Sequence, residues 1–90
     1  ILPIDDIVIY GFKILDKYYK GALEKRFDIE IDIEDIVGIY EAIGRRRGFL
    51  MSGNEIDYEK VTKIFLHEFR NEKFGKVVLD RLSDLDKVDE

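Results

Sequence analysis

Arg45, Arg46 and Arg47 stand side by side, and Lys60, Lys63, His67 and Arg70 recur at spacings of three, four and three. At 3.6 residues per turn the second set shares one face of a helix. Lys73 and Lys76 carry the basic character further along the chain. Cations gathered in this way can follow a phosphate backbone, and an arginine fork can hold a phosphate through two hydrogen bonds. Ser52, Gly53 and Asn54 form the turn between the two sets, where Ser52 and Asn54 add neutral hydrogen-bonding groups. The plainer account is a solvated face. Glu59, Glu68 and Glu72 lie on the same helix and can pair with its lysines, and arginines at a helix end complement its open carbonyls. Exposed charge is so common that composition alone favours the plainer account.

Other chemistries lack their residues. Gly75-Lys76 is neither preceded by a glycine-rich phosphate loop nor followed by serine or threonine, so no nucleotide cradle is expected. His67 is the single histidine, which rules out a two-histidine metal site, and Met51-Ser52-Gly53 lacks the spacing of a nucleophile elbow. With no cysteine there are no thiolate ligands and no disulfides. The acids Asp5 and Asp6, and those between Asp28 and Asp35, read as caps or a solvated edge, and their spacing fits no calcium loop. Neither a catalytic residue nor a metal or cofactor site is expected in this chain.

Ninety residues suffice for one domain, and Ile1 in place of Met leads us to expect a piece of a longer protein. Hydrophobic residues at 46% and charged residues at 39% suit a helical domain with a well-solvated surface. The net charge of −5 argues against nucleic acid, but its distribution does not. Residues 1–42 carry ten acids and five bases, residues 43–79 eight bases and five acids, and residues 80–90 five acids and two bases. No apolar run approaches the roughly 20 residues of a membrane helix. Residues 1–12 contain Asp5 and Asp6 and no basic leader, so a cytoplasmic protein without membrane partners is expected.

Four helices must position the basic residues, giving an all-α bundle with a Gly/Ser/Asn turn between the third and the fourth. The first follows Pro3 and is capped by Asp5 or Asp6, with Ile4, Ile7, Val8, Gly11, Ile14, Leu15 and Tyr18 on one stripe. Ile9, Phe12 and Tyr19 lie off that stripe, which suggests a second apolar face packed on a neighbouring domain. A short second helix spans residues 20–27. Residues 28–33 alternate like a strand but have no partner strand, and read as an extended connector. The third helix spans about residues 33–46, with a core stripe of Ile36, Val37, Tyr40 and Ile43, and with Gly38 marking a close helix crossing. In the loop, Phe49, Leu50, Met51 and Ile56 are expected to plug into the core. The fourth helix is capped by Asp57 and runs to about Lys73, burying Tyr58, Val61, Phe65 and Phe69. Residues 1–82 are expected to form the domain and residues 83–90 an acidic tail.

The stretch from Ala42 to Tyr58 resembles the C-terminal domain of the YlqF/RbgA family of circularly permuted GTPases. That family shows an alanine–isoleucine–glycine opening, a basic pair, a glycine, a serine–glycine–glycine turn and an aspartate–tyrosine helix start. Here these are Ala42-Ile43-Gly44, the arginines, Gly48, Ser52-Gly53-Asn54 and Asp57-Tyr58. Phe69 to Lys76 resembles the family's charged helix end, and Tyr10-Gly11-Phe12 its first helix. Asn54 replaces a second glycine and Phe49 a common cysteine; asparagine tolerates the left-handed backbone the turn needs.

The resemblance implies a GTPase assisting assembly of the large ribosomal subunit, with GTP and magnesium held by an N-terminal domain outside this chain. It implies an all-helical, non-catalytic domain contacting ribosomal RNA on the subunit precursor. Arg45, Arg46 and Arg47, with Arg70, Lys73 and Lys76, match its basic positions; Lys60, Lys63 and His67 come from the helix-face pattern alone. The alternative is a regulatory domain that packs on its own GTPase domain through Ile9, Phe12 and Tyr19 without touching RNA. One continuous basic face would favour RNA, and a mixed surface with an exposed apolar groove would favour protein.

Overall fold

The structure, a computed structural model, describes residues 2–71 together with Lys73 and Phe74. Among them are four α-helices, with no strand: α1 Asp6–Tyr18, α2 Ala22–Phe27, α3 Ile36–Arg47 and α4 Tyr58–Arg70. Three of the four begin on an aspartate. Asp5 accepts from the Ile7 N–H at 2.8 Å, Asp35 from Gly38 at 2.9 Å and Asp57 from Lys60 at 3.1 Å. Each satisfies one of the orphan donors of a helix start. The remaining helix, α2, follows Gly21 in the left-handed region at φ 82° and closes on Asp28 at φ 56°. The connection to α3 is not a single extended run: it leaves Asp28 in the left-handed region, passes through residues 29–32 without regular structure and turns at residues 33 and 34, with Ile29, Ile31 and Ile33 half-buried against the core.

Aromatic rings hold the helices together. Phe12 of α1 meets Tyr40 of α3 and Phe65 of α4 edge-on, with centroids 5.8 and 4.7 Å apart. Phe65 stacks on Phe69 at 5.4 Å, and Phe74 bridges both to Phe27 of α2. Phe12, Tyr40, Phe65 and Phe69 are completely buried. Burial of a side chain of this size contributes roughly 1.5–3 kcal/mol, and edge-on ring pairs add about 0.5–1.5 kcal/mol each. The Tyr40 hydroxyl shares a 2.7 Å hydrogen bond with Thr62 and accepts from the Asp5 N–H at 3.2 Å, so the buried phenol is satisfied.

Several expectations are corrected by this packing. Phe12 does not face a neighbouring domain: α4 wraps onto α1, and the ring sits at the centre of the core. Ile9 and Tyr19 are half-buried, and Tyr19 packs against the core. The buried stripe of α3 is Ile39, Tyr40, Ile43 and Gly44, while Val37 is only half-buried. Gly38 marks no helix crossing; a Cβ there would collide with the Asp35 carboxylate that caps its own helix. The close helix contact through a glycine is at Gly11, where a Cβ would lie 2.8 Å from the Phe65 ring of α4; at Gly44 a Cβ would lie 2.8 Å from Ile56 of the α3–α4 connection. α3 starts at Ile36 rather than near Ile33, and α4 ends at Arg70, with Lys73 in the turn beyond.

The connection between α3 and α4 is a small hairpin. Gly48 closes α3 at φ 72°, and the Phe49 N–H reaches back to the Gly44 carbonyl at 2.8 Å. The Asp57 N–H then bonds the Phe49 carbonyl at 2.9 Å, and the Met51 N–H bonds that of Glu55 at 2.6 Å. At the tip, Ser52–Asn54 form one 3-10 turn, with Gly53 at φ 79° and Asn54 at φ 63°. Ile56 is buried and Phe49 half-buried, but Leu50 and Met51 stay 44% and 57% exposed rather than plugging the core. Lys76 and the acidic tail lie outside the described residues.

Candidate nucleic-acid interface

Three adjacent arginines point to three different places, because successive residues on a helix are about 100° apart. Arg47 turns inward. Its two Nη groups donate to Glu68 at 3.1 and 3.5 Å, and its guanidinium lies over the Phe27 ring, 4.7 Å from the centroid. Arg46 pairs with Asp28 across the surface. Both partners are largely exposed, so this pair adds little stability. Arg45 lines a groove of about 740 Å³ together with Glu41, Glu55 and Glu59.

Glu68 does not pair with the lysines of its own helix, as its place in the sequence allows: only 5% of its side chain is exposed, and its partners are arginines of two other helices. Arg26 of α2 donates to it through Nε at 2.7 Å, and Arg47 of α3 approaches from the other side. Burial by itself would raise the carboxyl's pKa, but hydrogen bonds from Arg26 and Arg47 together with their positive charge outweigh it, so the value is held below the ordinary 4.5. The same hydrogen bond to Glu68 holds the Arg26 guanidinium's pKa above its usual value. One carboxylate thus joins three helices. The pattern in the sequence was readable in principle: Glu68 falls on the Val61–Phe65 side of the helix, three residues after Phe65.

The outer face of α4 keeps the expected spacing. Lys60, Lys63, His67 and Arg70 are all exposed. Lys60 lies over the Phe49 ring at 4.9 Å, which ties the start of this face to the hairpin. His67 stands 3.4 Å from the Asn71 side-chain amide, which also donates to the His67 carbonyl at 2.6 Å. Lys73 is exposed beyond the helix and shares a hollow of about 380 Å³ with Lys25 and Arg26 of α2. Ser52, Gly53 and Asn54 are exposed at the hairpin tip.

Beside this basic face the surface changes character. Leu2, Pro3 and Met51 line the groove that holds Arg45, with Tyr58 beneath. Burial, and the hydrogen bond the Tyr58 hydroxyl donates to Glu41 at 3.1 Å, push its phenol pKa up. The surface therefore combines a basic helix face with an apolar, acid-rimmed groove.

Among the described residues no three His, Asp or Glu side chains gather in a way that could hold a metal ion. No helix among the described residues is long and apolar enough to cross a membrane.

No family model matches the chain. Individual proteins do. Over 85 residues it is 36% identical to ribosome biogenesis GTPase A of Bacillus licheniformis, covering 94% of this chain and 30% of the relative. Over 81 residues it is 38% identical to the protein of that name from Bacillus pumilus, covering 90% of this chain and 29% of the relative. With that of Priestia megaterium the identity is 36% over 87 residues, 97% of this chain and 30% of the relative. The chain therefore spans under a third of the length of these curated relatives.

Proposed function

We propose, from the premise that this chain belongs to the ribosome biogenesis GTPase A family over the segment it shares with it, that it is the RNA-contacting C-terminal domain of such a GTPase. The parent acts in assembly of the large ribosomal subunit in the cytoplasm. GTP and magnesium are held by the rest of that protein, and this domain delivers it to ribosomal RNA on the subunit precursor. The observation that carries the reading is the outer face of α4, where Lys60, Lys63, His67 and Arg70 are exposed together. Backbone contact by such a face releases counterions, so affinity falls steeply with salt.

The test is RNA binding by the 90-residue chain, followed by fluorescence anisotropy with an RNA hairpin between 50 and about 200 mM salt. Lys63→Glu with Arg70→Glu alters two exposed positions and leaves the core intact. Binding is expected to weaken about tenfold or more, with the salt slope reduced by roughly 2. Unchanged binding sinks the reading.

The groove beside Arg45 favours a second reading, a regulatory domain that docks a protein segment. Its apolar floor and acidic rim suit a peptide with apolar and basic side chains rather than a phosphate backbone. Of the expected route through Ile9, Phe12 and Tyr19, Phe12 is unavailable, since it is in the core. Failure of RNA binding combined with loss of GTPase-domain association in a Met51→Glu variant of the full-length protein selects this reading.

A further inference from the structure

We propose that the hollow between α2 and the end of α4 is a distinct phosphate subsite for the RNA backbone, formed by Lys25, Arg26 and Lys73, with buried Glu68 as the residue that positions Arg26. The inference rests on the RNA-contacting reading above but concerns a different part of the surface. Lys25 and Arg26 come from the acidic first 42 residues of the sequence, and Lys73 from beyond α4; only the fold brings them around one hollow of about 380 Å³.

Arg26 is held in a way that suits a second ligand. Glu68 takes its Nε at 2.7 Å, while its side chain remains 37% exposed and lines the hollow. An arginine has five N–H donors in a planar fork, so a partner at Nε leaves the Nη groups for a phosphate. Glu68 is 5% exposed and carries Arg47 on its other oxygen, so the carboxylate cannot swing away with the guanidinium. Ordering the arginine before binding removes part of the entropy that immobilising it would cost. Lys25 and Lys73, both exposed, add two point charges at the rim. Glu68 does not neutralise the site, because its single charge faces both Arg26 and Arg47.

The same RNA hairpin and salt series test the subsite with other variants. Lys25→Glu with Lys73→Glu changes two exposed rim residues; binding is expected to weaken at least tenfold and the salt slope to fall by about 2. Affinity within twofold of the parent chain overturns the subsite. If Lys63→Glu with Arg70→Glu weakens binding and the rim variant does not, the subsite fails and the RNA reading stands. If the unaltered chain binds no RNA even at the lowest salt, both fail. Glu68→Gln, assayed below its melting temperature, separates positioning from charge. Removing a negative charge would by electrostatics alone tighten binding, whereas loss of the Arg26 orientation weakens it about threefold or more. Tighter binding overturns the positioning role.

Discussion

At Glu68 a carboxylate that is 5% exposed accepts from arginines of two other helices, Arg26 at 2.7 Å and Arg47 at 3.1 Å. Its folded pKa is held below the ordinary value of 4.5. A depressed carboxylate contributes stability that is present above its unfolded pKa and is lost as pH falls through its folded pKa. Urea unfolding midpoints should therefore be flat for this group near neutrality and decline below about pH 4.5. In Glu68→Gln that acid-side decline should be smaller. Glu68→Ala removes the carboxylate that both arginines share, while the guanidinium groups, 37% and 28% exposed, keep access to water; it is expected to cost about 1–3 kcal/mol. Gly11 gives a second residue-level prediction, in which two effects compete. Alanine favours a helix interior by about 1 kcal/mol over glycine. Its Cβ would sit 2.8 Å from the ring of Phe65, which is completely buried and cannot retreat. Overpacking of this kind costs about 1–3 kcal/mol, so Gly11→Ala should lower the melting temperature rather than raise it.

Each of the longer helices depends on an aspartate at its start, and the hairpin depends on three left-handed residues. Asp57 caps α4, and its N–H also closes the hairpin on Phe49. Asp57→Ala keeps the N–H and loses the cap; roughly 1 kcal/mol is expected, a fall of about 4–8 °C in Tm for a domain of this size. Asn54, at φ 63°, separates turn chemistry from packing because it is exposed. Asn54→Gly should be close to neutral, whereas Asn54→Val forces a β-branched residue into the left-handed region and should destabilise measurably by denaturant titration. The basic face belongs to this scale too. Lys60 leaning on Phe49 fixes the first turn of α4 to the hairpin, so the cations of that face sit on a rigid element rather than on a loop.

Across the whole molecule, the aromatic ladder makes the four helices one cooperative unit. Phe65 touches Phe12, Phe69 and Phe74, and through Phe12 it reaches Tyr40. Phe65→Ala is expected to cost about 3–5 kcal/mol, a large share of the stability of so small a domain. Circular dichroism should show all helices melting together at a lower temperature, not α4 alone. Charge is also organised at this scale. A chain of net charge −5 exposes Lys60, Lys63, His67 and Arg70 on one helix and gathers Lys25, Arg26 and Lys73 at its end.

What is local was legible in the order of residues. Aspartate caps, apolar periodicity and the absence of a partner strand were enough for four helices and a glycine-rich turn, because each depends on residues within a few positions of one another. The spacing of Lys60, Lys63, His67 and Arg70 was enough for their shared face, since a single helix carries them all. Whatever depends on a neighbour distant in sequence was settled by the packing of the helices. It buried Phe12, which the helix pattern had placed on a free face, by laying α4 across it. It left Leu50 and Met51 in solvent, because the hairpin needed only Ile56 and Phe49 to anchor it. It divided Arg45, Arg46 and Arg47 among a groove, a surface pair and a buried carboxylate. And it joined Arg26 to Glu68, 42 residues apart, a pairing that no local spacing encodes.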